Sequence, residues 1–199
     1  MIEHEWDERY AESDRIWSGL PNQALVAEVA SLQPGRVLDV GCGEGADAVW
    51  LAGQGWQVTA LDVSQVALDR ARQHARDAGV DVRWLHTGLV GAALRADGFD
   101  LVSAQYPALP HTDDHAAEHA LLAAVAPGGT LLVVHHDVDA DHARSGGFDP
   151  ADYVSPTDVV AQLDESWQLE VHEVRPRHVT SGAGAHHTHD VVVRARRVR

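Results

Sequence analysis

Apolar and polar positions along this chain follow two rhythms, one helical and one strand-like, that take turns from near the start to the end. Leu25, Val26, Val29 and Leu32 recur at helical spacing, so the stretch from about 7 to 32 predicts helix, with Pro21 suited to a first turn. Val37-Leu38-Asp39-Val40 then predicts a short strand that runs into Gly41-Cys42-Gly43-Glu44-Gly45. Helical spacing resumes over 46–52 until Gly53 and Gly55 break it. A strand near 57–61, a helix over 64–78 and a strand over 81–85 come next, with Ser64 as N-cap and Gly79 as C-terminal stop. Residues 99–104 predict a fourth strand, 113–125 a helix, and 130–135 a fifth strand whose unbroken Leu131-Leu132-Val133-Val134 suits a buried parallel position. Beyond a polar stretch at 137–153, Ser155-Pro156 opens a helix to about 163, and strands near 167–174 and 190–196 finish the pattern. This β-α alternation predicts an α/β fold, a doubly wound, mostly parallel sheet with helices on both faces.

The 199 residues suit one such domain, with a helical segment over about 1–33 leading into it. A formal net charge of −15 argues against a nucleic-acid footprint, which needs Lys and Arg gathered on one face. Only the tail from Arg194 to Arg199 is basic, as a solvated end would be. No run approaches the ~18 uninterrupted apolar residues of a membrane span, and the acidic start is unlike a signal peptide, so a cytoplasmic location is expected. One cysteine, Cys42, excludes an internal disulfide and any multi-cysteine metal or redox motif. Small molecules are therefore the favoured partners.

The chemistry concentrates where the first strand turns into the next helix. Gly41 and Gly43 let the backbone turn sharply and approach a ligand, and the helix that follows offers unpaired N–H groups. Asp62 stands 21 residues after Gly41, at the end of the second strand, where a carboxylate can accept from both hydroxyls of a ribose. Gly41, Gly43 and Ala46 also satisfy the looser dinucleotide fingerprint, so the glycines alone leave a nicotinamide cofactor open. Asp39 separates the two. A carboxylate two residues before the first glycine would repel a pyrophosphate and attract the ammonium of a methionine moiety.

Residues 37–52 together with Thr59-Ala60-Leu61-Asp62-Val63-Ser64 resemble the first two motifs of the class I, Rossmann-like S-adenosylmethionine-dependent methyltransferases. Phe99-Asp100-Leu101-Val102 resembles their fourth-strand motif, and Ala126-Pro127-Gly128-Gly129-Thr130-Leu131-Leu132 the turn into their fifth strand. Trp6-Asp7-Glu8-Arg9-Tyr10, Trp17 and Pro21-Asn22 further resemble the tellurite-resistance and thiopurine methyltransferase-like branch. The resemblance implies seven strands in the order 3-2-1-4-5-7-6 with the last antiparallel. It also implies S-adenosylmethionine as cofactor, S-adenosylhomocysteine as product, and methyl transfer to a small acceptor. Carried over by position, Asp39 would serve the methionine amino end, Gly41, Cys42 and Gly43 the backbone approach, Asp62 the ribose, and Val63 and Leu89 the two faces of the adenine. Gly88 stands where many members carry an Asp for the adenine amino group, a departure from the pattern. A nicotinamide-dependent oxidoreductase and a non-catalytic S-adenosylmethionine-binding protein are the rival readings.

Methyl transfer is an in-line displacement that depends on alignment and exclusion of water, and a base is needed only for an acceptor that arrives protonated. Ligands of open parallel sheets sit beyond the carboxyl ends of the strands, which brings Gln105, Tyr106, His111, His135 and His136 into range. Tyr10, His111 and His135 are the candidate catalytic groups. Tyr10 and Trp17 either cover the cofactor as a lid or anchor the first helix. His111, His115 and His119 fall at i, i+4, i+8, where a polar helix face is favoured over zinc, so no metal is expected. His186-His187-Thr188-His189-Asp190 reads as a surface loop in the last hairpin, with metal or substrate contact as the alternative. Asp137, Asp139 and Asp141 start like a calcium loop, but His142 and Phe148 stand where Gly and Glu are needed. Ser145-Gly146-Gly147 lies in the same polar stretch, which could form a mobile cover.

Overall fold

The computed structural model describes residues 3–13, 16–138, 149–179, 182 and 184–199. Helix α1 covers Glu3–Ala11 and α2 Gln23–Val29, followed by β1 (Arg36–Val40), α3 (Ala46–Gly53), β2 (Gln57–Asp62), α4 (Gln65–Ala78) and β3 (Arg83–His86). The second half holds β4 (Phe99–Gln105), α5 (Ala116–Ala124), β5 (Val125–His136), a 3-10 turn at Pro150–Asp152, α6 (Pro156–Ala161), β6 (Trp167–Pro176) and β7 (His189–Arg197). The strands form one seven-stranded sheet in the order β3-β2-β1-β4-β5-β7-β6. β1 to β5 pair in parallel, while β7 runs antiparallel to both β5 and β6. Order and strand direction agree with the expectation.

Strand alternation sends neighbouring side chains to opposite faces, and each face has its own core. Leu38, Val40, Val102, Leu131 and Val133 pack with Leu121, Val154 and Val159 on the α5 and α6 side. Val37, Leu101, Leu132, Val134 and Val192 pack with Leu25, Val29, Ala48 and Leu51 on the α2 and α3 side. Each fully buried aliphatic side chain contributes roughly 1.5–3 kcal/mol, against about 1 kcal/mol for a helix cap, so the sheet faces dominate the fold and the caps set the ends. The Ser64 hydroxyl accepts from the Ala67 amide at the start of α4, and Gly79 ends it with φ 67°. Ser155 and Asp158 form a reciprocal capping box on α6.

Three expectations are corrected. The helix over 7–32 is two helices with an irregular connection, because Glu44 takes the Ile16 and Trp17 amides and Asp47 takes the Asn22 amide. Those amides bond across the fold, so they cannot close helical turns. The helix expected from 113 starts at Ala116, since His115 at its N-cap has φ 54°. Only His119 of the three spaced histidines is therefore on the helix. The fifth strand is longer than expected, Val125–His136, because Phe99 already pairs with Val125 across an irregularity in the register. Of the polar stretch at 137–153, the Ser145-Gly146-Gly147 segment and the Asp139, Asp141, His142 and Phe148 positions lie outside the described residues.

Candidate active site

At the carboxyl ends of β1 and β2 the chain builds a turn from three left-handed glycines, Gly41 (φ 69°), Gly43 (φ 51°) and Gly45 (φ 81°). The Gly41 and Cys42 amides both donate to the Leu61 carbonyl, at 2.9 and 3.0 Å, which ties the turn to β2. Gly45 lets α3 approach α4 closely: a Cβ there would lie 2.7 Å from the Ala71 Cβ and 3.0 Å from Trp84. Asp62 closes the turn. One of its oxygens accepts from the Gly43 amide and the other from the Ser64 amide, each at 2.8 Å.

Three carboxylates lie buried around this turn, Asp39, Asp47 and Asp62. Burial raises all three carboxyls above their usual range; for Asp39, the charges of Asp47 and Asp62 raise it further. Asp47 is satisfied by the Asn22 backbone and side-chain N–H groups, both at 2.7 Å. Asp39 is not. It is 2% exposed, and its Oδ2 has no hydrogen-bond partner. A buried acceptor in that state is costly, of order 1–3 kcal/mol, and it fits a cationic N–H donor supplied by a ligand. Ser103 stands opposite Asp39 in the register, and two residues on, Gln105 donates to the Ser103 hydroxyl while its own Oε1 is unpaired. The Cys42 thiol is pushed up by burial and by Asp39 and Asp62, so it stays protonated.

The segment leading into the sheet folds over this turn. Tyr10 is buried, and its hydroxyl accepts from the Trp17 indole N–H at 2.9 Å. A Cβ on Gly43 would meet the Tyr10 hydroxyl at 2.9 Å and the Trp17 nitrogen at 3.3 Å, so both rings lie on the glycine turn. Burial, then the charge of Asp62, raises the Tyr10 phenol, which stays neutral. Arg70 fastens the segment, bonding Glu44 at 2.9 Å, the Tyr10 carbonyl at 2.8 Å and the Ser13 carbonyl at 2.7 Å. Asp7 of α1 accepts from the Ser64 hydroxyl at the start of α4. Glu44 anchors the Ile16 and Trp17 amides as well as Arg70. Glu44→Ala is expected to speed limited proteolysis between residues 12 and 22 at least several-fold; an unchanged cleavage rate would count against the anchor.

The remaining candidates separate by position. Val63 is half-buried, with its Cγ1 3.5 Å from where a Gly88 Cβ would be, and Leu89 is 4% exposed within the core. His111 is exposed, and its ring meets His115 edge-on at 6.0 Å. Among the described residues no group of three or more His, Cys, Asp or Glu has the geometry to hold a metal ion. His135 hydrogen-bonds the Pro107 carbonyl, its Nε2 is buried without a partner, and burial followed by His136 lowers it to about 4. Glu44, Asp47 and Arg177 were not singled out from the sequence, and Asp190 entered only as the end of the histidine-rich loop. Asp47 carried a signal in its place in the first turn of α3 and Glu44 in the glycine turn just before it, whereas Arg177 carried none. A broad depression of about 910 Å3 lined by Arg36, Trp56, Gly79 and Arg83 lies at the amino ends of the strands, away from this turn.

Comparison with known proteins agrees with this fold. A family model described as a methyltransferase domain matches residues 37–129, the stretch from β1 into the start of β5. An uncharacterised methyltransferase of Mycobacterium tuberculosis is 40% identical over 123 residues, covering 61% of this chain and 61% of the relative. N-methyltransferase NodS from Bradyrhizobium japonicum, solved with S-adenosylhomocysteine, superposes with a TM-score of 0.74 at 21% identity over all of both chains. The stretch from β1 into β5 is therefore similar to methyltransferase domains, and the fold of the whole chain is one that such enzymes adopt. A protein solved in work on the conversion of a disulfide bond into a thioacetal group during echinomycin biosynthesis gives a TM-score of 0.78 at 26% identity. That superposition covers 98% of this chain and 92% of the other. The match to the mycobacterial relative spans about three fifths of its length. These matches support the class as a whole rather than its tellurite-resistance or thiopurine branch. No helix among the described residues is long and apolar enough to cross a membrane.

Proposed function

We propose that this chain transfers a methyl group from S-adenosylmethionine to a small-molecule acceptor, as one domain over 1–199 whose first 33 or so residues cover the cofactor cleft. The observation that carries the reading is the unpaired, buried Oδ2 of Asp39 beside the glycine turn. There Asp39 holds the methionine ammonium, Gly41, Cys42 and Gly43 give the backbone approach, and Asp62, with lone pairs to spare, takes the ribose hydroxyls. Val63, Gly88 and Leu89 border the adenine, and Gln105 and Trp17 flank the methionine end. When bound, S-adenosylmethionine supplies an electrophilic methyl on a cationic sulfur. The protein's part is to hold that methyl in line with the acceptor and exclude water, for which Tyr10 and Trp17 are placed.

A small acceptor is supported by how the cleft is covered. Gly182, in the β6–β7 connection, comes so near the Ser18 amide that a Cβ would lie 2.6 Å from it. The connection and the leading segment thus meet at Trp17 and Ser18, next to the ring that lies on Gly43, an arrangement that suits a small acceptor. The net charge of −15 also disfavours nucleic acid. Three buried carboxylates around one turn oppose a pyrophosphate and hence the nicotinamide reading.

Calorimetric titration with S-adenosylmethionine, S-adenosylhomocysteine and NADH tests the cofactor. The first two are expected to saturate and NADH not to bind, with Asp62→Ala weaker by roughly 10- to 100-fold for lost hydrogen bonds at a charged group. Binding of NADH alone, or of none of the three, would overturn the reading. Binding without product across a broad acceptor screen would favour the non-catalytic alternative.

A further inference from the structure

The amino ends of the strands carry a cationic patch that the glycine turn, at the opposite end of the sheet, does not use. It opens where a helix is lacking. The crossovers from β1 to β2, β2 to β3 and β4 to β5 each carry a helix, whereas residues 87–98 join β3 to β4 without one. That crossover passes β2 and β1, because both lie between β3 and β4 in the sheet. In place of a helix, Leu89, Ala92 and Leu94 pack on the face that holds Leu38 and Leu61. The broad depression of about 910 Å3 opens beside them, a size that suits a small molecule.

Alternation puts Gln57 and Thr59 of β2 and Arg83 of β3 on that same face, since Val58, Ala60 and Trp84 pack on the other. Arg83 stands opposite Thr59 in the register, and Arg36 opposite Gln57. Arg95 enters from the connection, so three guanidiniums line the depression against one carboxylate, Asp81. The chain as a whole carries 30 acidic and 15 basic residues, the reverse of this balance. A merely solvated strand end would follow the chain. Arginines elsewhere are committed: Arg70 to Glu44, and Arg194 to Glu28 and Glu170. Arg177 stands 3.6 Å from Asp190, whose carboxylate also accepts from the Tyr106 hydroxyl at 2.8 Å and faces His136 Nδ1 at 3.0 Å, tying the last hairpin to the sheet. In the depression, Arg36 is held by Asp100, but Arg83 and Arg95 make no hydrogen bond or ion pair among the described residues.

We propose that this depression binds a small molecule bearing two or more phosphate or carboxylate groups, with Arg83 and Arg95 on its oxyanions and the Thr59 hydroxyl and Gln57 amide as further donors. A guanidinium meets such a group through two parallel N–H bonds, so geometry is selected along with charge. Two cations on different elements favour a ligand with spaced charges over a monovalent ion. The net charge of −15 repels anions from the molecule as a whole, so an anion bound here is held by the local wall. β1 and β2 run from the depression to the glycine turn, a span of roughly 16–20 Å for five or six residues. The anion therefore leaves the turn free, and both sites fill together. Binding there does not depend on methyl transfer.

Pyrophosphate and citrate, titrated separately into the full chain at about 0.15 M salt, distinguish a phosphate ligand from a carboxylate one. At least one is expected to saturate by calorimetry, with amide NMR shifts over 57–59, 81–83 and 93–95 and none over 41–45. Replacing Arg83 and Arg95 together by Ala should weaken that binding by roughly 30-fold or more, the worth of two charge-assisted contacts. Both arginines are exposed, so the unfolding midpoint should stay at the wild-type value. Arg196→Ala is the control: it removes an exposed arginine of β7, likewise without a partner among the described residues, and should leave the affinity unchanged. Absence of binding by both probes, shifts confined to the glycine turn, displacement of the probe by S-adenosylhomocysteine, or an equal loss in Arg196→Ala would each overturn the proposal.

Discussion

Asp39→Asn is expected to weaken S-adenosylmethionine binding by roughly 30-fold to 1,000-fold or more, since removing one partner of a buried charge pair costs about 2–5 kcal/mol. The variant keeps the shape of the side chain and removes only its charge. The unliganded protein should be no less stable for the change, because Asp39 is buried with Oδ2 unpaired and has no cation to lose. Burial, Asp47 and Asp62 raise the Asp39 carboxyl well above its usual range. Its folded form therefore holds a proton that the unfolded chain gives up near pH 3.9. The stability from that proton is complete below the unfolded value and is lost as pH rises through the folded one. A cationic ligand reverses the preference. Binding should release a proton within that window, and affinity should climb with pH until Asp39 in the free protein has ionised. Calorimetry in two buffers of unlike protonation enthalpy reads the proton directly. Affinity that is flat with pH and unmoved by Asp39→Asn would remove Asp39 from the site.

The second large effect is expected in folding rather than in chemistry. Gly45→Ala should destabilise the protein by about 2–5 kcal/mol, from a left-handed backbone at φ 81° and from overpacking. The new Cβ would lie 2.7 Å from the Ala71 Cβ and 3.1 Å from the Ala71 Cα, and backbone of a buried helix cannot yield as a side-chain tip can. Gly53→Ala is the control, because a Cβ there meets nothing within 4 Å. Urea unfolding of the two variants should separate them clearly. Equal midpoints would mean that α3 and α4 are free to move apart, and that the glycine turn is not a rigid cradle.

These two residues also show where sequence reading was sufficient. Asp39 and the three glycines form one continuous stretch, so their spacing alone set a carboxylate against a turn that a ligand can approach. Ser64 and Gly79 marked the ends of α4 for the same reason, since a cap acts on amides three or four residues away. The seven-strand order came from the family resemblance, because periodicity identifies strands and not their neighbours. Reading failed in the connection from 12 to 22. There, helical spacing competed with Glu44, Asp47 and Arg70, whose contacts span 25 residues or more of chain.

The sequence by itself determined the α/β alternation, the glycine turn and the placing of Asp39 and Asp62 beside it, while the cofactor class came with the family resemblance. Those three features depend on local spacing or on one strand-to-helix unit. Only the tertiary structure decided that Tyr10 and Trp17 rest on Gly43, that His135 bonds the Pro107 carbonyl, and that His136 meets Asp190, 54 residues on. The physical reason is the sheet itself. The antiparallel return of β7 beside β5 brings His136 and Asp190 into register, and no periodicity in either segment encodes which residue stands opposite.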